Sequence, residues 1–198
     1  MKTNLVKIFP TTVSITEDFL TDEEVKILLN MVRDINSQSH ELILGDGVSS
    51  NTNKFYEKDD FLKGIEKTHL WYKVTQQLNE YTSAMGLFEV SLDNSWFNIQ
   101  KPNSTLDAHH HSNSKVSGAL YLKVDEKSSS LILHDVHPYH NYREHTTSNE
   151  HNGIRCSIKP KVGMLVLFPS WLTHSGDINH SDERIVISFN ADNKNTPL

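Results

Sequence analysis

The sequence predicts an α+β fold that is mainly β, in which a jelly roll carries helices packed on one face. Apolar residues follow helical spacing before residue 86 and strand-like alternation after it. Seven short segments after residue 86 are rich in β-branched and aromatic residues and are separated by turn-forming residues. The length of 198 residues, with 36% hydrophobic residues, is typical of one globular domain. We therefore expect a single domain over residues 1–198, with a helical N-terminal support region at 1–90 and the β core at 91–190.

The N-terminal region is predicted to contain two helices. The first begins after Thr21, which forms a capping box with Glu24, because each side chain can bond the backbone N–H of the other. Apolar residues at helical spacing then give this helix one face to bury, and they are Val25, Leu28, Leu29, Val32 and Ile35. The second helical stretch covers residues 59–85 and ends at Gly86, a residue type that commonly terminates helices. The polar residues 36–58 between them are expected to form a loop.

The β core is predicted from segments in which β-branched and aromatic residues cluster between turn-forming residues. These segments are residues 88–92, 95–100, 116–124, 131–134, 154–158, 164–168 and 184–190. The segment 135–152 is a long loop that carries histidine and tyrosine side chains. Loops of this length are often functional.

Composition argues against several classes of function. The formal net charge of −6, with 25 acidic and 19 basic residues, argues against a protein whose main task is to bind nucleic-acid phosphates. A single cysteine, Cys156, allows no intramolecular disulfide and suits a reducing cytoplasm. The sequence shows no signal peptide and no stretch of apolar residues long enough to cross a membrane. We expect a cytoplasmic protein with no membrane partner.

Histidine is unusually frequent and unevenly distributed, since nine of the 12 histidines lie between His109 and His174. His109 and His111 would point to the same side of an extended strand and form half of a site for a first-row metal. A solvated polar turn would explain the same two residues without a metal. His174 follows an apolar strand that ends at Pro169, and a turn there can bring its ring back as a third ligand. Alternatively, His174 is a capping or core residue beside Trp171.

The last predicted strand has two different faces. One face is apolar and consists of Ile185, Ile187 and Phe189. The other face is unusually polar and consists of Arg184, Val186, Ser188 and Asn190. Because arginine does not lose its proton, an inward Arg184 needs an anionic partner, for which a carboxylate is best suited. The alternatives are a salt bridge to a nearby Asp or Glu and an edge position that faces water.

The order of these groups resembles one family. His-x-His, a distant histidine and an arginine ten residues further on are similar to the pattern of the non-haem iron(II), 2-oxoglutarate-dependent oxygenases, which fold as a double-stranded β-helix. A subfamily with a His-x-His motif, frequent in phages and marine bacteria, is more similar still. Its motifs occur here in the same order at residues 96–98, 109–111, 117–121, 168–174 and 183–190. The resemblance extends over roughly residues 90–190.

The resemblance implies roles for individual residues. His109, His111 and His174 would hold iron(II). The residues implied to bind 2-oxoglutarate are Arg184, Tyr121, Asn98 and Ser188. O2 would be the other reactant, and the reaction would hydroxylate a C–H bond with release of succinate and CO2. The substrate, a small molecule or a protein side chain, is not identified by the sequence, and a phage-encoded enzyme would work in the host cytoplasm.

His111 stands where the general family pattern has a carboxylate. We expect His111 to be a ligand, as in the more similar subfamily. Alternatively, Asp107 or Asp135 completes the metal site, or one position stays open as in halogenating relatives.

Other functions and sites remain open. The first is a cupin-like metalloenzyme that does not use 2-oxoglutarate, although the glutamate expected after its His-x-His motif is absent. The second is a non-catalytic jelly-roll binding module. A second metal site, or a loop over the pocket, would involve a further group of histidines, namely His134, His137, His140, His145 and His151.

Overall fold

Two antiparallel sheets and a helical layer form the part of the chain that the computed structural model describes, namely residues 10–51, 60–136, 147 and 153–193. The helices are α1 (Asp22–Asp34), a short 3-10 helix (Phe61–Ile65) and α2 (His69–Ala84). The strands are β1 (Ser14–Thr16), β2 (Ile43–Leu44), β3 (Gly47–Ser49), β4 (Val90–Gln100), β5 (Thr105–His109), β6 (Val116–Lys123), β7 (Leu131–His134), β8 (Arg155–Ile158), β9 (Leu165–Pro169), β10 (His174–Gly176) and β11 (Arg184–Asn193).

The sheets have the topology of a jelly roll. One has the strand order β1-β9-β6-β11-β4-β3 and the other has the order β2-β5-β10-β7-β8, and the neighbouring strands pair antiparallel. Both helices pack on the outer face of the six-stranded sheet. The predicted fold class, mainly β with helices packed on one face, is therefore confirmed. None of the helices within the described residues is long and apolar enough to span a membrane.

The helices show which sequence signals were reliable. The capping box is present, since the backbone N–H of Glu24 donates to Thr21 Oγ1 and the backbone N–H of Thr21 donates to Glu24 Oε2. Gly86 ends the second helix with φ of 66°, in the left-handed region. The predicted second helix is wrong in one respect, because it is interrupted. Lys67 has φ of 67°, and Thr68 starts α2 by accepting a hydrogen bond from the backbone N–H of Trp71.

Most predicted strands are present, and five short strands were not predicted. Residues 88–92 and 95–100 form one strand, β4, because the turn expected between them does not occur. The unpredicted strands are β1, β2, β3, β5 and β10. Each has five residues or fewer, so it is fixed by pairing with a neighbour rather than by its own pattern. Three of them lie within residues 1–90, which therefore contain strands as well as helices. The single-domain organisation stays a prediction.

Strand β11 separates two hydrophobic cores. Its residues Ile185, Ile187 and Phe189 belong to the core between the helices and the six-stranded sheet. Val186 belongs to a second core between the two sheets. The two-faced pattern expected for this strand is confirmed, and its polar face points into the space between the sheets. That space holds the candidate site.

Position 118 has no room for a side chain, because the residue opposite it in the sheet fills that space. Gly118 lies in β6 directly opposite Phe189 in β11, and a Cβ atom at residue 118 would overlap the phenyl ring. We expect Gly118→Ala to lower the free energy of unfolding by about 1–3 kcal/mol, because the new methyl group would force the buried phenyl ring to shift. Urea unfolding measures this loss. The loss caused by Gly118→Ala should be smaller in a protein that also carries Phe189→Leu. If Gly118→Ala causes the same loss in the wild type and in the Phe189→Leu protein, the steric explanation is contradicted.

Candidate metal centre

Three histidines converge between the sheets. His109 ends β5 and lies directly opposite His174, the first residue of β10. His111 follows two residues later, where its backbone N–H donates a hydrogen bond of 2.8 Å to the carbonyl oxygen of Ser170. One ring nitrogen from each histidine lies within 4.8 Å of those of the other two. Residues far apart in the sequence are therefore brought to one point by strand pairing.

Hydrogen bonds to the backbone orient two of the rings. Nδ1 of His109 lies 2.8 Å from the carbonyl oxygen of Asp107, and Nδ1 of His174 lies 2.9 Å from that of Leu172. A carbonyl oxygen only accepts, so Nδ1 carries the proton in both rings and Nε2 keeps its lone pair. Metal-binding histidines are commonly held in this way.

His111 is held by packing. Among the described residues its ring makes no hydrogen bond, but it meets the ring of Trp96 edge-on, with 5.7 Å between centroids. It also meets the ring of His109 at 5.1 Å. Trp96 is 8% exposed, so it is a fixed support for the third imidazole.

The environment keeps these imidazoles neutral. Burial lowers the pKa of His111 to about 4 and that of His174 to about 3, and repulsion from the neighbouring histidines adds to the effect. Burial also lowers the pKa of His109. All three rings are therefore unprotonated at neutral pH, which metal ligation requires.

The metal-free protein should lose stability in mild acid. The unfolded chain binds protons at the ordinary histidine pKa of 6.5, whereas His111 and His174 bind them only near pH 4 and pH 3 when folded. Between these values the unfolded state holds more protons, so the free energy of unfolding falls as the pH falls.

Urea unfolding between about pH 7 and pH 5 measures this slope of the free energy of unfolding against pH. It should become shallower in His174→Phe and stay unchanged in His69→Phe, which alters an exposed histidine. Equal slopes in the two variants would contradict this account.

Other candidate ligands are not part of this group. Within the described part of the chain, His109, His111 and His174 form the one cluster with metal-ligand spacing, and neither Asp107 nor Asp135 belongs to it. The ring of His134 instead contacts Ser175 Oγ at 2.9 Å. The other members of the predicted second metal site, His137, His140, His145 and His151, lie outside the described residues.

Arg184 is buried without a carboxylate partner. Its side chain is 4% exposed, Nη1 donates to Gln100 Oε1 at 2.6 Å and Nε donates to the carbonyl oxygen of Ser129 at 3.2 Å. Among the described residues no carboxylate lies within salt-bridge distance of its guanidinium. Burial lowers the pKa of Arg184, while Tyr121 and Asp177 act in the opposite direction. An arginine in this situation is expected to bind an anionic ligand.

Tyr121 lies beside this guanidinium. The Arg184 Cζ atom is 5.3 Å from the centre of the tyrosine ring, and Tyr121 is fully buried. Its hydroxyl has no hydrogen-bond partner within the described residues, and neither does Nε2 of Gln100. Burial raises the pKa of Tyr121, so its hydroxyl keeps the proton and can donate. Because buried polar atoms are rarely left unpaired, these groups fit a carboxylate ligand.

One cavity connects the histidines to Arg184. Its volume is about 260 Å³. All seven residues predicted for the site line it, namely Asn98, His109, His111, Tyr121, His174, Arg184 and Ser188. The structure thus brings the predicted residues together, and a metal and a carboxylate-bearing ligand can occupy the same cavity.

Sequence reasoning missed the residues that support this site. Gln100 pairs with Arg184 across β4 and β11, and its signal was its place two residues after Asn98 on the same strand face. Ser117 Oγ lies 2.8 Å from Asn190 Oδ1 and 2.9 Å from Ser170 Oγ in a buried network. Both Ser117 and Asn190 were noted as motif residues, but no sequence signal pointed to Ser170.

Comparison with protein families decides the assignment. Residues 94–190 match the model of the family described as "Putative 2OG-Fe(II) oxygenase". This region of the chain belongs to the 2OG-Fe(II) oxygenases. The oxygenase is accordingly an enzyme that depends on iron(II), 2-oxoglutarate and O2. The likeness to the phage and marine subfamily stays a prediction.

Solved structures share the fold of the oxygenase at low sequence identity. An oxidoreductase of the 2OG-Fe(II) oxygenase family from Burkholderia pseudomallei is 9% identical, with a TM-score of 0.68 over 92% of this chain and 86% of that chain. A prolyl-4-hydroxylase from Pseudomonas putida is 15% identical, with a TM-score of 0.59 over 93% and 94%. HygX from Streptomyces hygroscopicus, with nickel and 2-oxoglutarate bound, is 11% identical, with a TM-score of 0.60 over 93% and 84%. No curated protein matches the sequence of this chain.

Proposed function

We propose that the oxygenase couples the oxidative decarboxylation of 2-oxoglutarate to the hydroxylation of a C–H bond in an organic substrate. The observation that supports this most strongly is the single cavity, with three converging imidazoles and a buried arginine that lacks a carboxylate partner. A non-catalytic binding module would need neither feature. The single cysteine and net charge of −6 favour a cytoplasmic enzyme whose substrate is not a nucleic acid.

The histidines are assigned to the metal. Nε2 of His109 and Nε2 of His174 face the cluster with their lone pairs, because the Nδ1 atoms are bonded to backbone carbonyls. His111 supplies the third nitrogen. Its imidazole is neutral, so this site carries one more positive charge than a site with two histidines and a carboxylate. Iron(II) accepts imidazole ligands, and three protein ligands leave positions for other reactants.

Arg184 is assigned to the distal carboxylate of 2-oxoglutarate. Its guanidinium has no carboxylate partner among the described residues, and the neighbouring hydroxyl of Tyr121 can donate a second hydrogen bond. Gln100 holds the guanidinium in place from the opposite strand. Asn98 and Ser188 line the same cavity and are assigned to contacts with the cosubstrate.

Apolar side chains form part of the cavity wall next to the histidines. The ring of Phe168 meets that of His174 with 4.8 Å between centroids, and Leu131 and Val186 also line the cavity. Excluding water strengthens the charge interactions of Arg184 and protects reactive species from side reactions. When bound, the iron activates O2 for the oxidation. The overall reaction converts the substrate C–H, O2 and 2-oxoglutarate into C–OH, succinate and CO2.

The proposal is tested by following succinate. Protein loaded with iron(II) and 2-oxoglutarate without oxygen should form succinate when O2 is admitted, because decarboxylation proceeds slowly even without the substrate. Zinc-loaded protein is the matched control, since zinc has no redox chemistry and should form none. Equal succinate in the two samples, or none in either, would contradict the proposed reaction.

A further inference from the structure

Two buried polar atoms in the cavity wall have no hydrogen-bond partner among the described residues, and neither belongs to the metal or cosubstrate positions assigned above. They are Nε2 of His40 and Oδ1 of Asn94. Leaving a buried polar atom unpaired costs about 1–3 kcal/mol, so such atoms are rare in folded proteins. Their presence on the wall of a ligand cavity indicates that a ligand completes them.

His40 offers a hydrogen-bond donor. The backbone N–H of Leu42 donates to Nδ1 of His40 at 3.2 Å, so Nδ1 carries the lone pair. The neutral ring therefore has its proton on Nε2, the atom that lacks a partner. The carbonyl oxygen of Leu42 accepts a hydrogen bond of 2.9 Å from the backbone N–H of Asp107, so the loop that carries His40 lies beside the strand that ends at His109. The free donor thus lies on the His109 side of the histidine cluster.

Asn94 offers a hydrogen-bond acceptor. It lies on the inward face of β4, two residues before Trp96, whose ring packs against His111. Asn190, which lies opposite Asn94 in the sheet, accepts a hydrogen bond from Ser117 and donates none to the side-chain oxygen of Asn94. The free acceptor thus lies on the His111 side of the cluster.

The two unpaired atoms themselves are neutral and favour an uncharged substrate group. Among the described residues that line the cavity, the charged side chains are Glu41 and Arg184. Glu41 is exposed, and Arg184 is assigned to 2-oxoglutarate. A substrate group between His40 and Asn94 therefore meets one neutral donor and one neutral acceptor. A planar amide, which has a C=O acceptor and an N–H donor, satisfies both.

We propose that His40 and Asn94 bind an uncharged amide group of the substrate, with its C=O accepting from His40 Nε2 and its N–H donating to Asn94 Oδ1. This proposal rests on the proposed function, because the amide is placed next to the three histidines that the proposed function assigns to iron(II). A C–H bond beside the amide is then held next to the metal, where oxidation takes place.

Binding of small probes to protein loaded with nickel(II) and 2-oxoglutarate tests this inference without turnover. N-acetylalanine methylamide is the uncharged amide, N-acetylalanine is its carboxylate analogue and alanine methylamide is its ammonium analogue. Glycerol tests whether hydroxyl groups alone are sufficient. Titrations followed by ligand-observed NMR should show the tightest binding for the uncharged amide. His40→Asn keeps an acceptor for the Leu42 N–H, but its shorter side chain places no donor where Nε2 of His40 lies. It should raise the Kd about threefold to tenfold, as should Asn94→Leu.

The matched controls are His69→Asn and Asn30→Leu, which make the same exchanges at exposed positions and should leave the Kd unchanged. Unchanged binding in His40→Asn and Asn94→Leu would overturn the proposal, as would tighter binding of a charged probe or of glycerol. Absence of amide binding to the wild type would overturn it as well. Titration of 2-oxoglutarate in the same nickel-loaded samples separates the two proposals. A wild type that binds no 2-oxoglutarate contradicts the proposed function, whereas normal 2-oxoglutarate binding without amide binding contradicts this inference alone.

Discussion

His174→Ala should lose more than about 100-fold in iron(II) affinity, because removing even a group that only supports a metal ligand commonly costs 10- to 100-fold. His174 is the residue that pairing of β10 with β5 places opposite His109, and its ring is 5% exposed. Without it, two imidazoles remain, and no other described histidine or carboxylate belongs to the cluster. Metal analysis after desalting under nitrogen measures the iron retained per chain.

The control for this variant is His69→Ala, which removes an exposed histidine at the start of α2 and should retain iron as the wild type does. Urea unfolding of the metal-free His174→Ala protein shows whether the fold survives. A folded variant with wild-type iron content would mean that His174 is not a ligand.

Arg184→Met should weaken 2-oxoglutarate binding at least about 30-fold while iron(II) binding stays near that of the wild type. Methionine keeps much of the buried volume but cannot pair with a carboxylate. A weaker affinity for 2-oxoglutarate is therefore due to the missing charge and not to an empty space in the core. Arg184 lines the same cavity as the imidazoles but is in none of their hydrogen bonds. Calorimetric titration of 2-oxoglutarate into nickel-loaded protein measures the affinity.

Arg33→Met, on the exposed side of α1, is the matched control and should bind 2-oxoglutarate normally. A loss of 2-oxoglutarate affinity without a loss of iron(II) affinity means that Arg184 supports the cosubstrate and not the metal. If Arg184→Met loses both ligands, the residue maintains the fold rather than the cosubstrate site. If it loses neither, the assignment of the carboxylate to Arg184 is wrong.

The fold was predictable where local patterns agree with the tertiary structure. The capping box at Thr21 and the left-handed Gly86 act over a few neighbouring residues, so the sequence alone indicates where the helices begin and end. Strand β11 was predictable because its two faces meet two different environments. Strands β5 and β10 were not, because their few residues become strands only through pairing with each other and with β2 and β7.

The site was predictable only in part. Residue chemistry indicated His109, His174 and Arg184 as candidates, and the order of the motifs indicated their family. Their meeting in space depends on strand register, which no local pattern specifies. The unpaired hydroxyl of Tyr121 and the contact of Gln100 with Arg184 are likewise visible only once the two sheets face each other.

The contact between Gly118 and Phe189 links two motifs that are separated by more than sixty residues in the chain. The ring occupies the space that any larger residue at 118 would need, so a larger residue at 118 requires a smaller one at 189. Related sequences should accordingly show covariation, with a bulkier residue at 118 accompanied by a smaller one at 189. Since β6 also carries Tyr121 and β11 also carries Arg184, this steric pairing preserves the alignment of the two strands that support the cosubstrate end of the cavity.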